Sequence, residues 1–139
     1  MGDEKNRAAI ERIRELLASG DLSALTRSMA EFASEDMVQE WPQSGERTRG
    51  LANIKKLTES YGEATGKSPK MTFGRLIGGG DVYVVEGTID YGDGIPVNYV
   101  GIAELRDGKV VKMTEYWANP FEAPAWRADI VERMDKVPV

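Results

Sequence analysis

The apolar residues of this 139-residue chain change their spacing near residue 70. Before that point they recur every three or four residues, which is typical of helices that pack along one side. After it they alternate with polar residues in segments joined by short glycine-rich turns, which is typical of antiparallel strands. Because the helices come first and a strand meander follows, we expect an α+β fold and not a βαβ array.

Three helices are predicted in the first half of the chain. The first ends at Gly20, since glycine readily adopts the left-handed conformation that closes a helix, and Asp21 is the expected N-cap of the second. The third follows Gly50. The apolar faces are Ala9, Ile10, Ile13, Leu16 and Leu17 in the first helix, Leu22, Leu25, Met29 and Phe32 in the second, and Leu51, Ile54, Leu57 and Tyr61 in the third.

The strands are predicted from alternation and from the turns between them. A first short strand at Met37 to Trp41 is closed by Pro42, which cannot donate to a strand ladder, and residues 43–49 are polar and turn-like. The four strands of the meander contain Met71 and Phe73, then Val82 to Tyr91, Ile95 to Leu105 and Val110 to Trp117. In the tail, two prolines precede a short predicted helix with Trp126, Ile130 and Met134.

The composition excludes several classes of chemistry. The chain has no Cys and no His, which removes disulfides, thiolate chemistry, histidine catalysis and the commonest metal ligand. A formal net charge of −5 argues against nucleic acid or an anionic membrane as a partner. No spacing of Asp and Glu matches a metal-binding motif. We therefore expect no cofactor, and any proton transfer must fall to Glu, Asp, Tyr, Lys or water.

The organisation of the chain indicates one domain over residues 1–139, since no linker, internal repeat or low-complexity tract interrupts it. The N-terminal segment has mixed charge and lacks the apolar stretch of a secretory signal. No apolar stretch approaches the length of a membrane span. The expected location is the cytoplasm.

Three segments of the sequence resemble the NTF2-like superfamily, and within it the SnoaL-like and ketosteroid-isomerase-like branch. They are Leu16 to Asp21, Val38 to Pro42 followed by Arg49 and Gly50, and Asp107 to Val111 leading to Glu115, Tyr116 and Trp117. The resemblance implies a cone-shaped α+β roll, with three N-terminal helices packed on a curved antiparallel sheet around an internal, mostly apolar pocket. It also implies a small apolar or aromatic ligand, and a homodimer formed through the outer face of the sheet.

Glu40 is the first candidate for catalysis. The resemblance puts it where ketosteroid isomerases place their carboxylate base, and strand parity puts it on the same face as Val38, opposite Gln39 and Trp41. If that face lines the pocket, a dry wall raises the pKa of the Glu40 carboxyl towards the value that a general base needs. The alternative is a solvated residue at the end of an exposed strand.

Glu115 is the second candidate. The resemblance implies that the side chains of Met113, Glu115 and Trp117 face the pocket. Two carboxyl groups in one cavity could serve as acid and base, because one holds a proton while the other is charged. The alternative is a salt bridge from Glu115 to a basic residue such as Arg47, Arg49 or Arg75, since buried acids are usually paired.

Aromatic side chains are the candidates for ligand binding. Tyr61, Tyr99, Trp117 and Trp126, together with Met113, are predicted to line a pocket suited to a flat, apolar molecule. Tyr61 or Tyr99 could donate a hydrogen bond to a ligand oxygen. Trp126, in the tail, would cover the mouth of the pocket or pack on a second subunit. The alternative for each of them is ordinary packing in the core or at an interface.

The sequence also departs from the named enzymes of the superfamily. The isomerases polarise the substrate oxygen with a Tyr in the first helix and a protonated Asp in a later strand, and the matching positions here are Ile13 and Gly101. The closely spaced Arg and Asp pair of the epoxide hydrolases is not found. Two hypotheses remain. One is an isomerase, cyclase or lyase-type enzyme that uses Glu40, alone or with Glu115, on an apolar carbonyl or polyketide-like compound; the other is a non-catalytic module that binds a hydrophobic ligand.

Overall fold

Three helices cover one face of a six-stranded sheet in the computed structural model, which describes residues 2–66 and 69–134. The helices are α1 (Gly2–Ser19), α2 (Leu22–Phe32) and α3 (Leu51–Thr65). The strands are β1 (Ala33–Trp41), β2 (Glu46–Arg49), β3 (Lys70–Gly79), β4 (Val82–Asp90), β5 (Val97–Arg106) and β6 (Lys109–Ala118). The predicted α+β class is confirmed.

The junction between α1 and α2 forms as its sequence predicts. Gly20 has a φ of 73°, in the left-handed region that glycine enters without a steric penalty. The Asp21 side chain accepts a hydrogen bond of 3.0 Å from the Ala24 amide, which satisfies one of the free N–H groups in the first turn of α2. The chain therefore turns sharply between the two helices, and Gly20 lies in the cavity wall.

The sheet has the strand order β2-β1-β6-β5-β4-β3 and is mixed, not purely antiparallel. The meander from β3 to β6 is antiparallel, as predicted. However, β1 runs parallel to β6, with Gln39 opposite Met113. The reason is the long connection: after β2 and α3, the chain makes three reversals and returns beside β1 in the direction in which β1 runs. β6, the last strand of the meander, thereby pairs on its free side with β1 from the first half of the chain.

The segment predicted as turn-like, residues 43–49, contains a strand that the sequence pattern did not indicate. β2 forms a hairpin with β1, in which Glu40 pairs with Arg47 and Val38 with Arg49. It is short, lies at the edge of the sheet and exposes most of its side chains. An edge strand without a buried face has no reason to alternate apolar and polar residues, so periodicity cannot find it.

The predicted C-terminal helix is wrong for the residues that the structure describes there. A single 3₁₀ turn forms at Ala125–Arg127, and turns follow it. Trp126, Ile130 and Met134 are 77%, 79% and 84% exposed. Their four-residue spacing imitates an amphipathic helix, but they bury no surface against the sheet or the helices, and tertiary packing is what stabilises a short helix.

The main core lies between the helices and the inner face of the sheet, the face that the helices cover. Ile10 and Val110 are its most buried large apolar residues, each 1% exposed. Asn6 is equally buried and ties α1 to two strand turns, because its Nδ2 donates to the Gly80 carbonyl and its Oδ1 accepts from the Gly108 amide. A second cluster contains Met71, Ile89, Val97 and Tyr99. The cavity opens beside this second cluster.

Candidate functional site

A cavity of about 530 Å³ opens between α1, α3 and the inner face of the sheet. This volume is within the range of pockets that bind drug-sized molecules. Its apolar and aromatic lining includes Leu16, Leu17, Leu25, Trp41, Leu57, Met71, Ile89 and Trp117. Its polar lining is Gln39, Thr58, Ser60, Tyr61, Tyr91, Tyr99 and Glu115.

Glu115 is the ionisable acid of this wall, and it is buried, with 9% exposure. Its Oε1 accepts hydrogen bonds from Gln39 Nε2 at 2.6 Å and Trp41 Nε1 at 3.0 Å. Its Oε2 accepts one from the Tyr99 hydroxyl at 2.6 Å. All three donors are neutral. Across residues 2–66 and 69–134, no Lys or Arg forms an ion pair with Glu115, so the predicted alternative of a salt bridge does not occur there.

Strand register explains why these four side chains meet. Gln39 pairs with Met113 across the parallel β1–β6 ladder, so Gln39 and Trp41 lie beside Glu115 on the inner face. On the other side of β6, Gly101 of β5 stands directly opposite Glu115. Tyr99, two residues earlier in β5, shares the inner face and can reach back over Gly101.

Gly101 leaves the space that Tyr99 occupies. A Cβ at residue 101 would lie 2.9 Å from Tyr99 Cζ and closer still to the hydroxyl oxygen, a separation that real side chains do not adopt. The missing side chain therefore lets the phenol lie across the strand and donate to Glu115. Resemblance to the isomerases would put an acid at this position; in this chain the Tyr99 hydroxyl fills the same volume.

The pKa values of two phenols in the cavity wall are raised above the ordinary tyrosine value. Burial raises the pKa of Tyr99 well above 10.0, and the charge of Glu115 and the hydrogen bond to it raise it further. Partial burial also raises the pKa of Tyr91, with smaller contributions from Tyr61 and Glu115. Both hydroxyls therefore stay protonated at neutral pH, and that of Tyr99 donates to Glu115.

Aromatic rings form much of the cavity wall. Trp41 and Trp117 meet edge to face, with centroids 5.5 Å apart, and Tyr99 is inclined to Trp117 at 5.9 Å. Tyr61 and Tyr91 form a third pair at 6.5 Å. The structure thus places Tyr61, Tyr99 and Trp117 where they were expected, and their part in ligand binding stays a prediction.

Trp41, Gln39 and Tyr91 were not among the predicted site residues. The parity of β1 gave a signal for the first two, because it put them together on the face opposite Glu40. Nothing in the sequence alone indicated which of the two faces would line a cavity.

The predicted orientation of Glu40 is wrong. Strand parity does separate Glu40 from Gln39 and Trp41, but the latter two line the cavity and Glu40 lies on the outer face of the sheet. There Lys112 Nζ lies 3.1 Å from its Oε1, and Arg47 Nε donates to its Oε2 at 2.7 Å. These bonds, that of Lys112 before that of Arg47, lower the pKa of Glu40 below its usual 4.5. A paired, exposed carboxylate of this kind cannot act in the cavity.

Two predicted pocket residues lie elsewhere. Met113 is 8% exposed and packs in the main core, outside the residues that line the cavity. It points inward as expected, but the helices fill the space in front of it. Trp126 is on the exposed 3₁₀ turn, beside the Arg127 guanidinium at 6.0 Å, and covers no part of the cavity wall.

Neither a metal centre nor a membrane-spanning helix is found where the structure can be described. Within residues 2–66 and 69–134, no group of three or more acidic side chains is arranged to hold a metal ion. In the same part of the chain, no helix combines the length and the hydropathy needed to cross a membrane.

The sequence family agrees with this architecture. The family model described as the SnoaL-like domain matches residues 10–113, which is most of the chain. The chain belongs to the SnoaL-like family. No protein with a curated description matches this SnoaL-like domain significantly.

Solved structures similar to this SnoaL-like domain are NTF2-like proteins. One, an NTF2-like protein of unknown function from Burkholderia xenovorans LB400, is 34% identical, with a TM-score of 0.74 over 95% of this chain and 97% of that one. Another, from Kribbella flavida DSM 17836 and provisionally named a ketosteroid isomerase, is 26% identical, with a TM-score of 0.78 over 96% and 92% of the two chains.

A third similar structure is an LEH-like epoxide hydrolase from M. tuberculosis. It is 19% identical to this SnoaL-like domain, with a TM-score of 0.62 over 83% of this chain and 84% of that one. At that identity the likeness shows the fold alone. The NTF2-like fold is thus shared by proteins with different activities, and the residues of the cavity must decide what this one does.

Proposed function

We propose that this SnoaL-like domain binds a small, flat, mostly apolar molecule in its cavity and that Glu115 accepts a hydrogen bond from it. The observation that supports this most is a buried carboxylate in an aromatic wall, held by three neutral donors. A carboxylate has about four acceptor positions. Three are used, so one position on Oε2 is free for a ligand. The apolar area around it supplies the affinity, and Glu115 fixes the orientation.

The geometry also supports binding because three hydrogen bonds hold the carboxylate in one orientation. A fixed acceptor in an apolar wall sets the orientation of a ligand. With Glu40 on the outer face, a pair of acids in the cavity no longer supports catalysis.

Blocking the cavity tests the proposal. Ala64 lines the cavity from α3 and Ala52 lies exposed on the same helix outside it. We expect 2-naphthylmethanol, whose hydroxyl can donate to Glu115, to bind the wild type and Ala52→Trp with similar affinity, and Ala64→Trp at least about tenfold more weakly, because a bulky indole fills the space. Calorimetry measures the affinity, and the indole N–H resonance of Trp41 reports the place. Equal binding by the two variants, or no shift at Trp41, would contradict the proposal.

Acid–base catalysis through Glu115 is the second candidate. The free acceptor position on Oε2 favours it, since a base needs one open lone pair facing the substrate. The wild type and Glu115→Gln distinguish the two functions when 2-acetylnaphthalene is added in D₂O. Exchange of its α-hydrogens that is faster than in buffer and lost in Glu115→Gln would favour the enzyme; no acceleration would leave binding alone.

A further inference from the structure

The hydrogen-bonding groups around Glu115 are unequally used. The donors there, Gln39 Nε2, Trp41 Nε1 and the Tyr99 hydroxyl, are all directed at the carboxylate. The acceptors are not all used: one position on Glu115 Oε2 is free, and the buried Gln39 Oε1 has no hydrogen-bond partner among the described residues. Gln39 Oε1 is enclosed by protein, so the acceptor that a ligand N–H or O–H meets in the cavity is Glu115. The groups at this end of the cavity therefore favour a ligand that donates a hydrogen bond.

The charge of the wall is also unbalanced. Glu115 is its one carboxylate, and none of the described residues that line the cavity is Lys or Arg. Neutral donors stabilise a buried carboxylate but leave its net charge, whereas a cation held beside it would cancel that charge. An anionic ligand would meet repulsion from Glu115, which no Lys or Arg among the described lining residues offsets.

The rings next to Glu115 favour the same ligand. Trp41 and Trp117 are inclined at 68° and Tyr99 and Trp117 at 50°, so the rings around the carboxylate face different directions. The face of an aromatic ring attracts a cation, and Trp does so most strongly. Trp41 and Tyr99 direct the edge that carries their donor at Glu115, so of these three rings Trp117 is the one that can offer a face to an ammonium group beside the carboxylate.

Two depressions adjoin the cavity, and neither has an excess of positive charge. One shares Tyr61 and Tyr91 with the cavity and adds Asp93, and none of its described lining residues is Lys or Arg. The other shares Met71 and is balanced, with Glu11 and Glu15 against Arg14 and Lys70. The chain as a whole has a formal net charge of −5, which raises the local concentration of cations.

We propose that the ligand of this cavity is an organic cation: a protonated amine on a flat, apolar body, with the ammonium group at Glu115. This rests on the proposed function, since it requires that the cavity bind a ligand at all. It specifies the chemical class of that ligand. Carboxylates, phosphates and other anions of similar size are excluded by the same charges.

Three matched probes test the inference on the full chain. They are 2-naphthylmethylamine, protonated at neutral pH, its neutral isostere 2-ethylnaphthalene, and the anion 2-naphthoate. We expect the amine to bind the wild type at least about tenfold more tightly than the hydrocarbon, since a charge-assisted hydrogen bond and a cation–π contact add to the same apolar burial. The anion should bind most weakly. Calorimetry gives the affinities, and the Trp41 indole N–H signal confirms the place.

Two variants with the same change of charge make the test more specific. Glu115→Gln should reduce the preference for the amine over the hydrocarbon to about twofold or less, while the hydrocarbon binds as before. Glu40→Gln removes an equal charge from the outer face, where Lys112 and Arg47 already balance it. The preference for the amine should survive in that variant.

The outcomes separate the two proposals. If all three probes fail to bind, both the cavity function and the inference are overturned. If the hydrocarbon or the anion binds as tightly as the amine, the cavity function stands and the organic cation is wrong. The affinities of the three probes for the wild type distinguish these outcomes even if Glu115→Gln does not fold. Loss of the preference in Glu40→Gln to the same extent as in Glu115→Gln would also overturn the inference, because a general charge effect would then explain it.

Discussion

The two faces of the sheet place a glutamate in opposite environments. On the outer face, Glu40 is partly exposed and held by two cations, Lys112 and Arg47. On the inner face, Glu115 is buried and held by a side-chain amide, an indole and a phenol. Only Glu115 therefore keeps a charge that its surroundings do not cancel. A carboxylate is thus available to a ligand when neutral donors, and not cations, hold it in place.

Removing each carboxylate should give the largest contrast between the two faces. Glu115→Ala leaves three donors of the cavity wall without their acceptor, and we expect the free energy of unfolding to fall by about 2–3 kcal/mol. Glu115→Gln keeps one carbonyl oxygen and should lose less. Glu40→Ala breaks ion pairs with Lys112 and Arg47 on the solvent-facing side of the sheet and should have a much smaller effect. Urea unfolding of the three variants measures this, and an equal loss for Glu40→Ala and Glu115→Ala would remove the contrast between the faces.

Alkaline pH should reveal the burial of the inner face. The folded-state pKa of Tyr99 is raised well above 10.0, so its contribution to stability is complete below the unfolded pKa and is lost as pH rises. Above about pH 10 the unfolded chain releases this proton while the folded chain keeps it. Stability should then fall by up to about 1.4 kcal/mol per pH unit from this group.

Tyr99→Phe is the control for that slope. Unfolding curves at increasing pH give the slope for each protein, and the difference between wild type and Tyr99→Phe isolates Tyr99 from the other tyrosines. Identical slopes in the two proteins would mean that Tyr99 is not protected from ionisation.

Lowering the pH should have the smallest effect on stability, through Glu40 on the outer face of the sheet. The folded pKa of Glu40 lies below 4.5 because of Lys112 first and Arg47 second. Its contribution to stability is therefore present above the unfolded pKa and disappears as pH falls through the lowered folded value. Carboxyl-carbon NMR should give a Glu40 midpoint below 4.5, and Lys112→Gln should move it upwards. A midpoint at or above 4.5 in the wild type would contradict the pairing.

The sequence predicted the fold well because each major element has a local signal. Alternation and tight turns located the meander from β3 to β6, and the Asp21 cap located the start of α2. β2 was missed and the tail helix was wrongly predicted, for opposite reasons. β2 has no buried face that would create a pattern, whereas Trp126 and Ile130 have the spacing of a helix but remain exposed.

The candidate site could be predicted only in part. Parity along β1 divides its residues correctly into two faces, but each face has one apolar and one polar member near the strand end: Val38 with Glu40, and Trp41 with Gln39. The face that lines the cavity is decided by the parallel pairing of β1 with β6, a contact between distant parts of the chain. The homodimer through the outer face of the sheet stays a prediction.

Gly101 and Tyr99 restrict how this protein can change over evolution. A side chain at 101 and the ring at 99 compete for one volume, so the two positions are expected to vary together among descendants. A lineage that gains an acid at 101 while it keeps Tyr99 must displace that ring and its hydrogen bond to Glu115, at an overpacking cost of about 1–3 kcal/mol. The route from this cavity to one with an acid on β5 is therefore less costly when Tyr99 changes first.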